Sequence, residues 1–304
     1  MTDLTPLLIS GAPRSGTSLL YNLFDGHPEV TWLVNEGYLF EYLADLGADR
    51  AHLFEAALPA DLDALIAGLR DKQVMPPMHK DYTQSLARGS VSEVHIASPW
   101  SEERFRAALA APRDRGMSAL WRWLAAAYAA GEGQPPRRYA VMKSPDFGKS
   151  IASSLTLLPE ARGLVILRDP LRALDSLKRS RELRGEKLVT WPQLALAVGS
   201  FLDMADRLEA ADPARLLVLR YEDLTAEPEQ TMRGVADRLG LAYAPSLLEP
   251  TMRGQHWPGI SSFKPTDGIE TGPADRPLQA LTPEEADYVR SALHEFRERH
   301  GYRD

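Results

Sequence analysis

Residues 11–18, with the sequence GAPRSGTS, have the residue types of a phosphate-binding loop. They follow a short apolar run and precede leucines at helical spacing, so they should join a buried strand to a helix. The two glycines, with four residues between them, nearly reproduce the pattern G-x-x-x-x-G-K-[ST]. Such a loop turns successive backbone N–H groups toward a phosphate at the start of the helix. The phosphate contacts are expected from Ser15, Gly16, Thr17 and Ser18.

The departure from that pattern concerns the cation. Thr17 occupies the position of the lysine, and the nearest cation is Arg14, inside the loop. A nucleoside triphosphatase without that lysine lacks the group that reaches the β- and γ-phosphates. A site that grips one 5′-phosphate and the group attached to it has no such need. A tight turn without a ligand is the alternative interpretation.

A second candidate anion site begins at Arg168, directly after an apolar run and before a proline that suits the first turn of a helix. Arg172, Ser176 and Arg179 would share one face of that helix. Residues 168–184 contain six cations and three anions, a local charge of +3 in a chain of formal charge −7. We expect Arg168 and Ser176 to hold a second phosphate of the same ligand. The alternative is a solvated charged helix in which Asp175 and Glu182 have other partners.

Short apolar runs alternate with helical patterns along most of the chain. Strands are expected at 7–10, 30–34, 139–142, 163–167 and 216–219. Helices are expected at 17–25, 170–184, 192–211 and 227–239, with a mainly helical segment at 37–135. The stretch 250–280, rich in glycine and proline, is expected to be a long ordered surface loop. The alternation predicts an α/β fold with a mostly parallel central sheet.

The composition of the 304 residues is that of a globular protein, with 44% apolar and 25% charged residues. The absence of cysteine excludes disulfides, thiolate metal sites and thiol catalysis. The chain has 42 acidic and 35 basic residues, and this net negative charge argues against nucleic acid or an anionic membrane as the partner. No apolar run approaches the ~18 residues of a membrane span. The N-terminus lacks a signal-peptide pattern, so we expect a cytoplasmic protein.

Together these motifs resemble those of the sulfotransferases that use 3′-phosphoadenosine 5′-phosphosulfate (PAPS). The loop GAPRSGTSLL is similar to the 5′-phosphosulfate loop of that family, and the segment from Arg168 to Ser176 is similar to its 3′-phosphate motif. The pieces VMKSP around Lys143 and LRYEDL around Tyr221 match in kind and order. The resemblance implies one P-loop-like α/β domain over residues 1–304, with a helical acceptor-binding insertion at 37–135. It also implies PAPS as co-substrate and no metal.

The resemblance assigns roles to individual residues. Arg14 replaces the lysine of the soluble small-molecule and steroid enzymes, as in protein-tyrosine, carbohydrate and many bacterial members. Its planar guanidinium can bridge phosphate and sulfonate oxygens as charge develops on them. Lys143 would stabilise the bridging oxygen as the bond breaks. Further contacts with the donor are expected from Arg181, Tyr221, Ser262 and Lys264.

The general base must come from outside the usual position. Many family members carry a histidine two residues after the lysine, and here that residue is Pro145. Glu36 lies where arginine-type members carry a base glutamate, and burial near an apolar acceptor would raise its pKa. An exposed glutamate that caps a helix is the alternative. Other candidates are His27, for which a structural role at a helix end is favoured, His79 and His95.

The expected reaction is in-line transfer of a sulfuryl group from PAPS to a hydroxyl or amine acceptor, which leaves adenosine 3′,5′-bisphosphate. The acceptor could be a small molecule, a carbohydrate or a peptide, and the apolar content of residues 37–135 and 182–214 favours a partly apolar one. The sequence specifies neither its identity nor the oligomeric state. A P-loop kinase is the nearest alternative, with Asp169 as the carboxylate for magnesium. A nucleotide-binding module without turnover is another.

Overall fold

The computed structural model describes residues 4–33, 63–64, 66–67, 82–85, 93–112, 114–183, 185, 190–257, 259, 268–270 and 277–302. The strands in these ranges are β1 (Thr5–Gly11), β2 (Val30–Trp32), β3 (Tyr82–Ser85), β4 (Glu93–Ile96), β5 (Tyr139–Ser144), β6 (Arg162–Leu167), β7 (Leu216–Arg220), β8 (Thr251–Met252) and β9 (Gln255–His256). Five of them form the central sheet, in the order β2-β5-β1-β6-β7. All of its pairings are parallel.

Apart from a 3₁₀ helix at Pro245–Leu248, α-helices connect and cover these strands in the described residues. They are α1 (Thr17–Asn22), α2 (Glu102–Leu109), α3 (Met117–Gly131), α4 (Lys149–Leu157), α5 (Pro170–Leu183), α6 (Trp191–Ala210), α7 (Tyr221–Ala226), α8 (Pro228–Leu239), α9 (Pro283–Ala292) and α10 (His294–Arg299). In the same ranges, no helix combines the length and the apolar character needed to cross a lipid bilayer.

Both faces of the sheet are buried. Leu8, Met142 and Val165 belong to the core on one face, which includes residues of α3, α4, α5, α6, α9 and α10. Ile9 and Val141 belong to the core on the opposite face, which includes residues of α1 and α8. Successive side chains of a strand point to opposite faces, so a sheet covered on both sides requires nearly continuous apolar strands. The predicted three-layer α/β fold with a parallel sheet is confirmed.

Several predicted segments differ from the structure. α1 ends at Asn22 rather than at 25, because tighter turns with Phe24 N–H bonded to the Tyr21 carbonyl follow it. The prediction that 37–135 is mainly helical was wrong at β3 and β4, which pair antiparallel. The sequences YTQS and EVHI carry aromatic and β-branched residues that favour strands once they find each other.

The predicted surface loop at 250–280 contains the antiparallel pair β8 and β9. One Asp25 carboxylate oxygen accepts hydrogen bonds from Thr251 Oγ1 at 2.8 Å and from Gly254 N at 2.7 Å. Between them, Arg253 has a left-handed backbone and forms an ion pair with Glu132 at 3.3 Å. Both side chains of that pair are buried, and this burial raises the pKa of Glu132 while Arg253 opposes the rise. The turn is therefore anchored to the core rather than lying loosely on it.

Candidate active site

The sequence-predicted groups lie at the carboxyl ends of three adjacent strands. The glycine loop follows β1, Lys143 is near the end of β5, and Arg168 follows β6. β1 lies between β5 and β6, so the chain builds the sheet first on one side of β1 and then on the other. In open α/β sheets, ligands bind in the crevice outside the strand ends where the order reverses in this way.

The loop after β1 can accept only glycine at its two glycine positions. A Cβ added to Gly11 would lie 2.3 Å from the Ile166 carbonyl oxygen, and one added to Gly16 would lie 2.5 Å from Cδ2 of Tyr221. Gly16 also has φ of 96°, which side chains rarely adopt. Arg14 itself has φ of 71°, a left-handed conformation that is uncommon for an arginine. The loop is held in a strained shape, as is frequent at ligand sites.

The interior of this loop contains an unpartnered hydroxyl. Ser15 is completely buried, and its Oγ has no hydrogen-bond partner among the residues that the structure describes. Its N–H donates to the Ala12 carbonyl at 3.1 Å, so the backbone is satisfied while the side chain is not. A buried polar group without a partner costs free energy. An oxygen-rich ligand such as a phosphate would supply the partner, so the loop fits the predicted anion.

The two predicted anion sites meet at Arg14. Its Nε donates to Ser176 Oγ at 3.3 Å across 162 residues of sequence. Arg168 donates from a guanidinium nitrogen to the Arg14 backbone carbonyl at 2.9 Å. The loop and the start of α5 therefore form one site.

Tyr221 joins the same site through its ring. The Arg168 guanidinium carbon lies 4.7 Å from the ring centroid, a cation–π distance. The ring also fills the space beside Gly16, where any side chain would collide with it. Tyr221 therefore holds Arg168 on one side and sets the width of the glycine loop on the other.

Two carboxylates lie behind Arg168. The Asp169 N–H donates to Glu222 Oε1 at 3.0 Å, and the Asp169 carboxylate pairs with Arg297 at 3.2 Å. Burial raises the pKa of Glu222, although the Asp169 N–H and the positive charges of Arg220 and Arg168 oppose the rise. Asp169 was the carboxylate that a kinase would use for magnesium, and here its partner is an arginine.

The charged and polar residues of the segment 168–183 divide between two roles. Lys178 forms a buried ion pair with Glu285 at 2.6 Å. Asp175 Oδ1 accepts three backbone N–H bonds, at 2.7 to 3.0 Å, from residues 279–281. The alternative interpretation expected other partners for Asp175, and the structure shows them, but Asp175 and Lys178 are buried rather than solvated. They bind the C-terminal part of the chain, whereas Arg168 and Ser176 face the loop.

Lys143 lies within β5, opposite Ile9 of β1, and is buried with 6% of its surface exposed. The residues that follow it are bonded to the start of the glycine loop. Ser10 Oγ donates to Asp146 at 2.8 Å and accepts the Gly148 N–H at 3.1 Å, and the Phe147 N–H donates to the Gly11 carbonyl at 3.1 Å. These bonds fix the end of β5 against the loop.

The sequence model of the Sulfotransferase family matches residues 6–245. The chain belongs to the sulfotransferase family. The match includes the glycine loop, Lys143, Arg168 to Ser176 and Tyr221, and it ends before α9 and α10.

Curated sequence relatives match a smaller part of this sulfotransferase, whereas a solved structure aligns with nearly all of it. The omega-hydroxy-beta-dihydromenaquinone-9 sulfotransferases Stf3 of Mycobacterium bovis and Mycobacterium tuberculosis are 30% identical to it over 126 residues. That segment is 37% of this chain, which spans about a third (32%) of the length of these curated relatives. The sulfotransferase domain from the curacin biosynthetic pathway aligns with a TM-score of 0.51 at 16% identity, covering 97% of this chain and 99% of that one. At that identity the likeness shows the fold alone.

The remaining predicted residues of this sulfotransferase fall into three groups. Glu36, Ser262, Lys264 and His79 lie outside the described residues, and His95 is described only as part of the backbone of β4. Arg181 lies in the last turn of α5. His27 is buried, with Nε2 3.0 Å from the Ala242 carbonyl and Nδ1 accepting the Glu29 N–H at 3.1 Å. Both nitrogens of His27 are engaged in structural bonds, as favoured from the sequence.

Sequence reasoning missed Arg297 and Glu222 as members of the site's surroundings. Glu222 follows Tyr221 directly, so the neighbouring motif was a usable signal. Arg297 lies 128 residues from Asp169 in the sequence, and no local pattern connects the two.

Proposed function

We propose that this chain is an enzyme that transfers a sulfuryl group from PAPS to a hydroxyl or amine acceptor and leaves adenosine 3′,5′-bisphosphate. Family membership supports the reaction class. The observation on which the proposal rests is the meeting of Arg14, Ser176 and Arg168, which come from two motifs far apart in sequence. A ligand with phosphates at both the 5′ and 3′ positions of one ribose would require two such adjacent anion sites.

The 5′ end of the donor would be held by the glycine loop. The unpartnered Oγ of Ser15 supports a phosphate or sulfonate oxygen as its partner, and Gly16, Thr17 and Ser18 would add backbone donors. PAPS supplies the sulfuryl group and a phosphate as leaving group. Arg14 would stabilise the negative charge that develops on the phosphate and sulfonate oxygens, since its planar guanidinium can bond two oxygens at once.

Lys143 would act at the oxygen that bridges phosphate and sulfonate. It is buried at the end of β5 beside β1, so its charge would be screened little by solvent. The Ser10–Asp146 hydrogen bond supports this role, because it holds the residues after Lys143 against the loop. Glu36 remains our proposed general base, and Ser262 and Lys264 our proposed late contacts with the phosphates. No metal is needed in this scheme.

The 3′ end would be held by Arg168 and Ser176, with Arg181 as reinforcement. Arg168 is already bonded to the loop carbonyl and lies over Tyr221, so little ordering is left for binding to complete. Tyr221 would contact the adenosine part beside the arginine. In this proposal, Arg14 and Lys143 would act on the reacting atoms, and Arg168 would recognise the 3′-phosphate of the nucleotide.

For the acceptor we propose a small, partly apolar alcohol. The Stf3 relatives are named for a hydroxylated menaquinone, an isoprenoid quinone with a terminal hydroxyl. We propose that residues 1–304 act as one domain in which the insertion at 37–135 contributes the acceptor pocket. A hydroxylated isoprenoid is therefore the first acceptor to test, beside aryl alcohols and simple sugars.

The test uses the full chain with PAPS and each acceptor in turn, and measures adenosine 3′,5′-bisphosphate and the sulfate ester by liquid chromatography. We expect both products to appear in equal amounts with at least one alcohol. Calorimetric titration with adenosine 3′,5′-bisphosphate and with ATP–magnesium is the companion measurement. Much tighter binding of ATP–magnesium would overturn the proposal in favour of a kinase.

A further inference from the structure

The C-terminal segment, residues 277–302, is bound at three places to α5 and to Asp169, the residue that precedes this helix. Arg297 pairs with Asp169, the amides of 279–281 bind Asp175, and Glu285 pairs with Lys178. α5 is also the helix that presents Ser176 to the loop. All of these partners lie beyond residue 245, where the family match ends.

Asp169 occupies a sensitive position in this arrangement. It lies next to Arg168 and caps α5, since its Oδ1 accepts the Leu171 N–H at 3.1 Å and its carbonyl accepts the Ala173 N–H at 2.9 Å. Its side chain is only 14% exposed. A poorly solvated carboxylate beside an anion site repels a phosphate unless another charge neutralises it.

Arg297 provides that neutralising charge. Its Nε and one terminal nitrogen donate to the two Asp169 oxygens at 3.2 and 3.4 Å, so the pair is bidentate. The Arg297 side chain is 5% exposed and belongs to α10. Arg168 is bonded to Arg14 and Tyr221 rather than being the partner of this carboxylate.

We propose that Arg297 is a positioning residue for recognition of the 3′-phosphate. It neutralises Asp169 and so leaves the positive charge of Arg168 available to the ligand. This inference rests on the proposed function, because it concerns the same nucleotide. The C-terminal helix is then part of the donor site although it touches none of the reacting atoms.

The test compares two nucleotides on the full chain by calorimetry, adenosine 3′,5′-bisphosphate and adenosine 5′-phosphate. In Arg297→Leu, we expect the bisphosphate affinity to fall about tenfold while the monophosphate affinity changes by less than about twofold. Adding Asp169→Asn to that variant removes the unpaired carboxylate and keeps a good helix cap. The double variant should recover most of the preference for the bisphosphate, which a merely structural defect would not do.

The single variant Asp169→Asn tests the direction of the change in bisphosphate preference. This test does not require the Arg297→Leu variant to fold. It leaves the Arg297 cation without its carboxylate beside the site, so we expect the bisphosphate preference to hold or to increase. A decrease would show that the pair acts through structure alone and would overturn the inference. Arg299→Ala is the matched control, since Arg299 lies on the same helix and pairs with Glu209 at the surface. Its nucleotide affinities should equal those of the unmodified chain.

Failure of this inference differs from failure of the proposed function. An unmodified chain that shows no preference for the bisphosphate contradicts the proposed donor. An unmodified chain with a clear preference that Arg297→Leu retains contradicts only the role of Arg297. An equal loss of affinity for both nucleotides in Arg297→Leu, without recovery in the double variant, also contradicts the role of Arg297. Thermal unfolding of each variant establishes that the proteins compared are folded.

Discussion

The glycine loop of residues 11–18 and the segment from Arg168 to Ser176 form one site but are built in different ways. The loop is shaped by its own backbone, with Gly11 and Gly16 in close contact with neighbouring atoms and Arg14 in a left-handed conformation. The second segment is shaped by side chains whose partners come from distant parts of the chain, such as Asp169, which pairs with Arg297. The proposed 5′-phosphate site is thus shaped by local backbone strain, and the proposed 3′-phosphate site by long-range charge pairing.

This difference has a functional consequence. The loop tolerates no added atom at Gly11 or Gly16, because neighbouring atoms already fill the space beside them. A segment held by ion pairs tolerates added volume at its surface but depends on each distant partner. Substitutions in the two regions should therefore fail differently, the first in turnover and folding and the second in nucleotide selectivity.

The largest expected effect is at Arg14. Arg14→Ala should reduce kcat on the order of 10²- to 10³-fold, because it removes a donor to oxygens on which charge develops. Arg14→Lys keeps the charge without the planar fork and should lose less. Steady-state turnover with PAPS and a confirmed acceptor measures both variants. Lost bisphosphate affinity with an unchanged kcat would limit Arg14 to ground-state binding.

The next effect tests the second region. Arg168→Ala should weaken the binding of adenosine 3′,5′-bisphosphate by about 10- to 100-fold, which is the effect of losing a hydrogen bond to a charged group. Adenosine 5′-phosphate should bind almost as before, since it lacks the 3′-phosphate. Calorimetry with the two nucleotides gives the ratio directly. If the affinities for the two nucleotides fall equally, Arg168 does not recognise the 3′-phosphate.

Gly16→Ala tests whether the backbone determines the loop. The new Cβ would meet Tyr221 in a conformation that alanine rarely adopts, so the free energy of unfolding should fall by about 1–3 kcal/mol. Gly199→Ala is the matched control, because a Cβ there meets no atom within 4 Å and lies in α6. Denaturant unfolding of both variants makes the comparison. Equal stabilities would mean that the loop adapts more easily than its contacts indicate.

The smallest effect concerns Glu222 and pH. Its pKa is raised by burial, so its contribution to stability is complete below its ordinary value of 4.5 and is lost as the pH rises through the folded-state pKa. Glu222→Gln keeps an acceptor for the Asp169 N–H but does not titrate. The stability of this variant relative to the unmodified chain should therefore increase as the pH rises above 4.5.

Urea unfolding at several pH values measures that trend. Glu284→Gln is the control of opposite sign, because hydrogen bonds from its own N–H and from Thr282 lower the pKa of exposed Glu284. Its relative stability should decrease as the pH rises toward the ordinary carboxyl range. Parallel trends in the two variants would contradict the assignment of the Glu222 shift to burial.

Local patterns were sufficient for much of this molecule. The parallel sheet, α5, α6 and the glycine loop were predicted within a few residues, because apolar periodicity and turn residues act over short distances. The same patterns failed at β3 and β4, where two short segments become strands only by pairing with each other. They also missed the anchoring of Arg253 in the core.

The sequence by itself determined the architecture and the two candidate anion-binding motifs, because each of these depends on neighbours along the chain. Only the tertiary structure decided which charges of the segment 168–183 are paired within the chain. Asp169 and Lys178 find their partners 128 and 107 residues away, at Arg297 and Glu285. The strength of an ion pair depends on the distance between the two charges in space. The sequence therefore does not show whether a given cation faces solvent, a phosphate or a buried carboxylate.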